Sequence, residues 1–201
     1  MPHLSRRALL AAPAVLALSS LPAAAAGPIG QTRSLRGSGK LVHDGRQSPL
    51  SVGMVLNEGD TVRIGAGAIA ALFLHTETLI HMGPETQVTL ARYLAEAGGT
   101  ITIGGALVFD RPEAAPKVDL TFQSAFGEIG VRGTRFFFGP SKGKVAVFVD
   151  RGRVTVSNAG VSRTLRGGDG VDLARGQPPS EVSQWKAPRI EAAFALVGLK
   201  R

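Results

Sequence analysis

The stretch GEIGVRGTRFFFG, Gly127 to Gly139, decides how the rest of the chain is read. Glycines at 127, 130 and 133 enclose Arg132 and lead into Phe136, Phe137 and Phe138. A glycine-rich loop cradles phosphate when a helix follows it, because the first N–H groups of the helix then converge on the anion. Here TRFFFG follows, which has the composition of a strand. The spacing G-x-x-G-x-x-G matches neither the dinucleotide fingerprint nor the P-loop, and no G-K-[ST] comes after it. The segment therefore reads as a corner between strands, and no cofactor is expected. Gly130 and Gly133 are expected to be needed by the backbone, at least one of them at positive φ or where another segment leaves no room for a Cβ. Arg132, placed in such a corner, is expected to be held by a carboxylate or by carbonyl groups. The three phenylalanines should alternate across the sheet, so that at most two share one core.

Outward from this corner the chain reads as strand after strand. Glycine (26) and proline (12) punctuate its 201 residues more heavily than long helices tolerate. TVRIGAGAIAALFL (residues 61–74) has a turn at Gly65–Gly67 between two apolar runs. ETLIHMGPETQVTL (residues 77–90) places Gly83-Pro84 between two strands, and TITIGGALVFD (residues 100–110) breaks at a Gly-Gly pair. KVAVFVD, RVTVS and VSRTL, between Lys144 and Leu165, repeat an alternating pattern with turns at Gly152 and at NAG. QVTLARYLAEAGG (residues 87–99) is ambiguous, since its second half also suits a helical turn. An internal echo joins Leu56-Asn-Glu-Gly59-Asp60-Thr-Val62 to Leu165-Arg-Gly-Gly168-Asp169-Gly-Val171. In both, Gly59 or Gly168 would supply a positive-φ corner, and Asp60 or Asp169 would bond to the backbone just beyond it. Two matches fall short of a repeat family.

These patterns predict an all-β fold, a single antiparallel β-sandwich or a solenoid-like β-roll with a short C-terminal helix. Residues 27–180 are expected to form one β-domain with its core at residues 35–173. Gly27 to Lys40 begins as a flexible leader, and Ala174 to Arg189 leaves the sheet. Within residues 181–201, a linker and short helix, Pro188 opens the helix; Ile190, Phe194 and Val197 mark its apolar face, and Gly198 stops it.

Residues 1–26 read as an export signal. Arg6 and Arg7 precede an Ala-rich apolar run ending in small residues, suited to cleavage after Ala26. SRRALL (Ser5 to Leu10) is similar to the twin-arginine export pattern, with a plain Sec signal as the alternative. A periplasmic chain without a transmembrane anchor after cleavage is the expectation. Zero cysteines exclude disulfides, thiol catalysis and Cys-based zinc. One Trp and one Tyr supply no aromatic platform for sugars or single-stranded nucleic acid. The formal net charge of +8 favours an acidic protein partner or an anionic envelope surface. The basic residues are spread along the chain, and an exported protein rarely meets nucleic acid, so that partner is not expected.

No catalytic signature stands out. His75 and His81 flank TETLI and can meet across a hairpin, with Glu77 or Glu85 as a third ligand, but isolated histidines on a sheet more often have no metal. His43 is isolated. A glycosidase needs two carboxylates at a set separation, and nothing selects a pair from Glu77, Glu85, Asp110 and Glu113. No G-x-S-x-G elbow is present. The chain is therefore expected not to be an enzyme, with a glycan- or peptide-acting enzyme of the envelope as the rival.

Three blocks together resemble the FecR domain family. VGMVLNEGDTVRIGAGAIAALFL (Val52 to Leu74) is similar to its opening block, with an apolar-x-x-Gly-Asp corner before a strand. FGEIGVRGTRFFF (Phe126 to Phe138) resembles its most specific motif, centred on Gly130-Val131-Arg132-Gly133-Thr134. VFVDRGRVTVS (Val147 to Ser157) resembles its closing block. The resemblance spans roughly Leu35 to Leu173 and implies an all-β periplasmic domain. In the best-known members that domain belongs to a transmembrane anti-sigma regulator of iron uptake. The sequence shows neither their cytoplasmic anti-sigma domain nor their membrane span. A protein-binding or signalling-accessory role in the envelope is thus what the resemblance implies here, with an open sheet edge able to take a strand from the partner.

Overall fold

The computed structural model describes residues 27–75, 77–94 and 98–200, so the stretch read as an export signal lies outside the described residues. In chain order the strands are β1 (Gly30–Arg36), β2 (Gly39–His43), β3 (Arg46–Pro49), β4 (Val55–Leu56), β5 (Thr61–Ile64), β6 (Ile69–Leu74), β7 (Thr78–Met82), β8 (Gln87–Leu94) and β9 (Gly98–Gly104). They continue as β10 (Leu107–Asp110), β11 (Asp119–Ser124), β12 (Gly127–Arg132), β13 (Arg135–Ser141), β14 (Lys144–Arg151), β15 (Arg153–Asn158), β16 (Val161–Arg166), β17 (Asp169–Leu173) and β18 (Ser183–Gln184). A single helix, α1 (Ala187–Ala195), follows.

The strands form two nine-stranded sheets. One has the order β18-β17-β14-β13-β10-β7-β6-β1-β4 and the other β16-β15-β12-β11-β9-β8-β5-β2-β3. The chain crosses repeatedly from one sheet to the other and advances along both, so the fold is all-β and combines a sandwich with a roll. Pairing is antiparallel except between β9 and β11, which are parallel because the chain visits the opposite sheet, as β10, between them.

The glycine punctuation has two jobs. At Gly65–Gly67, Gly83-Pro84, Gly104-Gly105, Gly133, Gly152 and Gly167-Gly168 the chain passes between sheets. The Gly83-Pro84 turn therefore joins two layers and is not a hairpin. Hairpins within a sheet use other dipeptides. Asp44-Gly45, Lys142-Gly143 and Ala159-Gly160 all have positive φ at both residues, the primed-turn geometry that follows strand twist.

Two expectations about local structure need correction. Gly27 to Lys40 is not a loose leader: β1 occupies half of it and pairs with both β4 and β6. Gly30 packs so closely on Phe73 and Leu74 that a Cβ would lie 2.4 Å from the Phe73 carbonyl oxygen. Of the ambiguous run at residues 87–99, residues 87–94 and 98–99 are strand, and those between lie outside the described residues. Tyr93 is buried and its hydroxyl donates to the His75 carbonyl at 3.2 Å, which ties β8 to the β6 end of the other sheet.

Between the sheets lies the main core. Phe109 and Phe136 from one sheet and Phe122 from the other form a three-ring cluster with centroids 5.0–5.6 Å apart. A second core lies on the far face of the first sheet, where Val108, Phe137, Ala146 and Phe148 meet Trp185, Ile190, Ala193, Phe194 and Val197. Phe136 and Phe138 therefore face one core and Phe137 the other. The uninterrupted FFF run fits a strand covered on both sides, whereas alternation marks β12 and β15, whose outer face meets solvent. Helix α1 has Pro188 in its first turn, and Gly198 beyond it has φ +77°.

Candidate functional site

The motif Gly130-Val131-Arg132-Gly133-Thr134 is the passage from β12 to β13, and so from the open sheet to the helix-covered one. Val131 points into the main core and Thr134 is fully buried. Gly133 turns with φ +67°. Its carbonyl faces the next crossing: a Cβ on Gly152 would sit 2.8 Å from the Gly133 carbonyl oxygen and 2.8 Å from the Thr134 methyl. The motif and the closing block are thus two crossings packed against each other.

Gly130 behaves differently from Gly133. It lies exposed on the outer face, its φ is not in the left-handed region, and an added Cβ would find nothing nearer than the Thr155 carbonyl oxygen at 3.9 Å. The backbone does not need glycine there, contrary to expectation. Arg132 has the carboxylate partner expected, Asp119, but is not enclosed in the corner. Its side chain is 66% exposed and reaches Asp119 only at 3.8 Å. It points outward because Val131 takes the inward position of the alternation. The arginine held by carbonyl groups is Arg111, fully buried after β10. Its Nε and Nη2 donate to the Pro116 carbonyl, and its Nη1 donates to the Thr78 hydroxyl at 2.8 Å. The carbonyl of Thr134 accepts the Arg111 backbone N–H at 3.1 Å, so this arginine braces the motif corner.

On the outer face, Gly130 interrupts a cross-strand row of threonines: Thr100, Thr121, Gly130, Thr155 and Thr164 on β9, β11, β12, β15 and β16. Beside it runs a charged row. Asp119 pairs with Arg132, Arg153 pairs with Arg166, and Arg132 and Arg153 each lie one residue beyond the Val131–Val154 pair. With Glu113 and Lys117 these residues line an open groove of about 850 Å³. Lys117, Arg153 and Arg166 are exposed and form no ion pair among the described residues. Sequence reasoning missed this grouping. Its one legible signal is the run of outward polar positions in GRVTVS and SRTLR, and register alone shows that these rows align.

The echoed corners are superposable in their bonding. Asp60 Oδ2 accepts the Asn57 N–H at 2.8 Å, and Asp169 Oδ2 accepts the Arg166 N–H at 2.8 Å. The carboxylate closes the corner backward, onto the residue three before it, and not onto the backbone beyond. Gly59 and Gly168 have φ of +87° and +91°. In each corner the other carboxylate oxygen takes a neighbouring side chain, the His43 Nδ1 at 2.6 Å in the first and the Gln184 amide in the second. The Asp60 hydrogen bond, reinforced by the charges of Asp60 and Asp44, raises the pKa of His43.

His75 and His81 do not meet. His75 is exposed just beyond β6, while His81 pairs with Ala71 within the hairpin, about 13 Å further along at strand spacing. Burial lowers the pKa of His81. Glu77 and Glu85 lie in turns at opposite ends of β7. Asp110 is engaged by Arg135 at 3.3 Å and Arg151 at 3.0 Å. Among the described residues no three His, Asp or Glu side chains are placed to share a metal ion.

Two facing sheets with a short covering helix and an open polar face define an all-β module. Residues 60–155 match the family described as FecR protein. The fold is similar to two crystal structures of a protein from Parabacteroides distasonis ATCC 8503, provisionally named an anti-sigma factor. Each has a TM-score of 0.54 at 14% identity over 69% of this chain. The likeness spans 65% and 64% of those chains, less than two thirds of their length. No curated protein matches the sequence. Among the described residues no helix is long and apolar enough to cross a membrane.

Proposed function

We propose that this chain is a non-enzymatic, protein-binding signalling accessory of the cell envelope, exported to the periplasm with cleavage after Ala26. The observation that carries this reading is the FecR match, whose most specific motif lies on a solvent-facing groove. Strand addition at a sheet edge is less favoured than binding on the open face. The edge strands β4 and β18 have two residues each, and β3 ends at Pro49. The longest edge, β16, is flanked by the following segment through Arg163–Glu181 and Asn158–Ala174 contacts. The sheet edges are thus guarded in the usual ways, while the groove is not.

An affinity-tagged chain, expressed with its N-terminal segment and cross-linked in an envelope fraction, tests the reading. Recovery of one protein partner, repeatedly and in preference to a tagged control β-protein, is the expected result. Repeated absence of any specific partner, or turnover of an envelope glycan or peptide by the purified chain, would sink it.

A further inference from the structure

We infer that the groove over the Gly130–Thr134 motif docks an acidic, extended segment of a protein partner; this rests on the binding reading above. The floor is the part of the threonine row formed by Thr121 and Thr155, and Gly130 between them leaves a gap that the fold itself does not require. A side chain there would rise into the groove, so glycine keeps the floor open for a main chain to approach. The threonine hydroxyls on either side can donate to its carbonyls or accept from its N–H groups. Along one wall Arg132, Arg153 and Arg166 stand on adjacent strands, about 4.8 Å apart at sheet spacing, and Lys117 joins them from the loop before β11. Four cations face only Glu113 and Asp119. Their mutual repulsion is relieved by carboxylates brought in by a ligand, and the planar guanidinium groups suit carboxylate geometry.

The same features argue against a membrane as occupant. A flat anionic surface cannot reach the floor of a concave site, and Glu113 and Asp119 on its lining would repel it. A single acidic chain can place its carboxylates on the arginine wall and avoid both.

The test is fluorescence anisotropy of the purified chain with a short labelled peptide of alternating Glu and Ser, beside Gln/Ser and Lys/Ser peptides and phosphatidylglycerol vesicles. Only the Glu/Ser peptide should bind, and added salt should weaken it. Arg153→Ala with Arg166→Ala should weaken it roughly three- to tenfold, the effect of losing two solvent-exposed ion pairs. Gly130→Thr should weaken it while the melting temperature stays at or above that of the parent. Equal binding of Glu/Ser and Gln/Ser peptides, or binding unchanged in both variants, overturns the proposal. Vesicle binding lost in the double variant also overturns it, assigning the groove to an anionic surface. If both variants still capture the envelope partner, the groove proposal falls and the binding reading stands. No capture by the parent chain removes both.

Discussion

At Gly133 the backbone turns with φ +67°, where a Cβ would crowd the following carbonyl, while the space around it is open, the nearest atom being the Lys117 Cγ at 3.7 Å. The whole cost of Gly133→Ala is then conformational, about 1–2 kcal/mol of stability in a denaturant melt. Three residues earlier the balance is the opposite. Gly130 lies in an exposed strand with room for a side chain, so Gly130→Thr should raise stability by about 0.5–1 kcal/mol. Loss of stability on Gly130→Thr, or none on Gly133→Ala, would contradict this division of the motif. His43 provides a pH signature at the same scale. Its raised pKa means that the protonated imidazole is favoured in the folded state by Asp60. That stabilisation is complete below about pH 6.5 and is lost as pH rises through the higher folded value. His43→Gln should therefore destabilise more at pH 5 than at pH 9. A difference that grows with pH would show that the Asp60 carboxylate does not hold the charge.

At the scale of elements, α1 has nine residues and cannot be stable alone. It is held by Phe194 and by Trp185, whose ring stacks on Phe148 with centroids 4.9 Å apart. The Arg189 guanidinium lies 3.7 Å from the Trp185 ring centroid and bonds to Asp172 at 2.6 Å and to Ser141 at 2.9 Å. Trp185→Ala should cost about 3–5 kcal/mol and uncover the apolar face of Phe137 and Phe148. The check is increased binding of a hydrophobic dye together with a lower melting temperature. A variant with parental stability would mean that the C-terminal segment is dispensable. This packing also shows why the sequence was legible in places. Alternation in β12 and β15 marked strands with one wet face, and Pro188, Phe194 and Gly198 outlined the helix. The sheet crossings were not legible, because Gly83-Pro84 and Gly104-Gly105 look the same locally whether the next strand pairs with the last or lies in the other layer. β1 was missed because its short alternating segment, with Thr32 inward and Arg33 outward, carries few apolar residues.

For the whole molecule, the two faces differ in kind. One sheet is covered by α1 and the residues before it, and the other presents its threonine rows and arginines to solvent. The candidate site was half visible in the sequence, which marked Gly130 to Thr134 but gave Gly130 to the backbone's needs and set Arg132 in an enclosed corner, where it is instead largely exposed. The partners of those residues come from β11, β15 and β16 and the loop before β11, brought together only by strand register. The basic balance of the chain is also partly explained, since Lys117, Arg153 and Arg166, without an ion pair among the described residues, stand together in the groove. The most direct measurement is a photo-cross-linking amino acid placed at Thr155 on the groove floor, and at Ser48 on the distant edge strand β3, in cells carrying the full chain. A protein adduct from Thr155 that is absent from Ser48 is the expected result. No adduct at Thr155, or the same adducts from both positions, would contradict it.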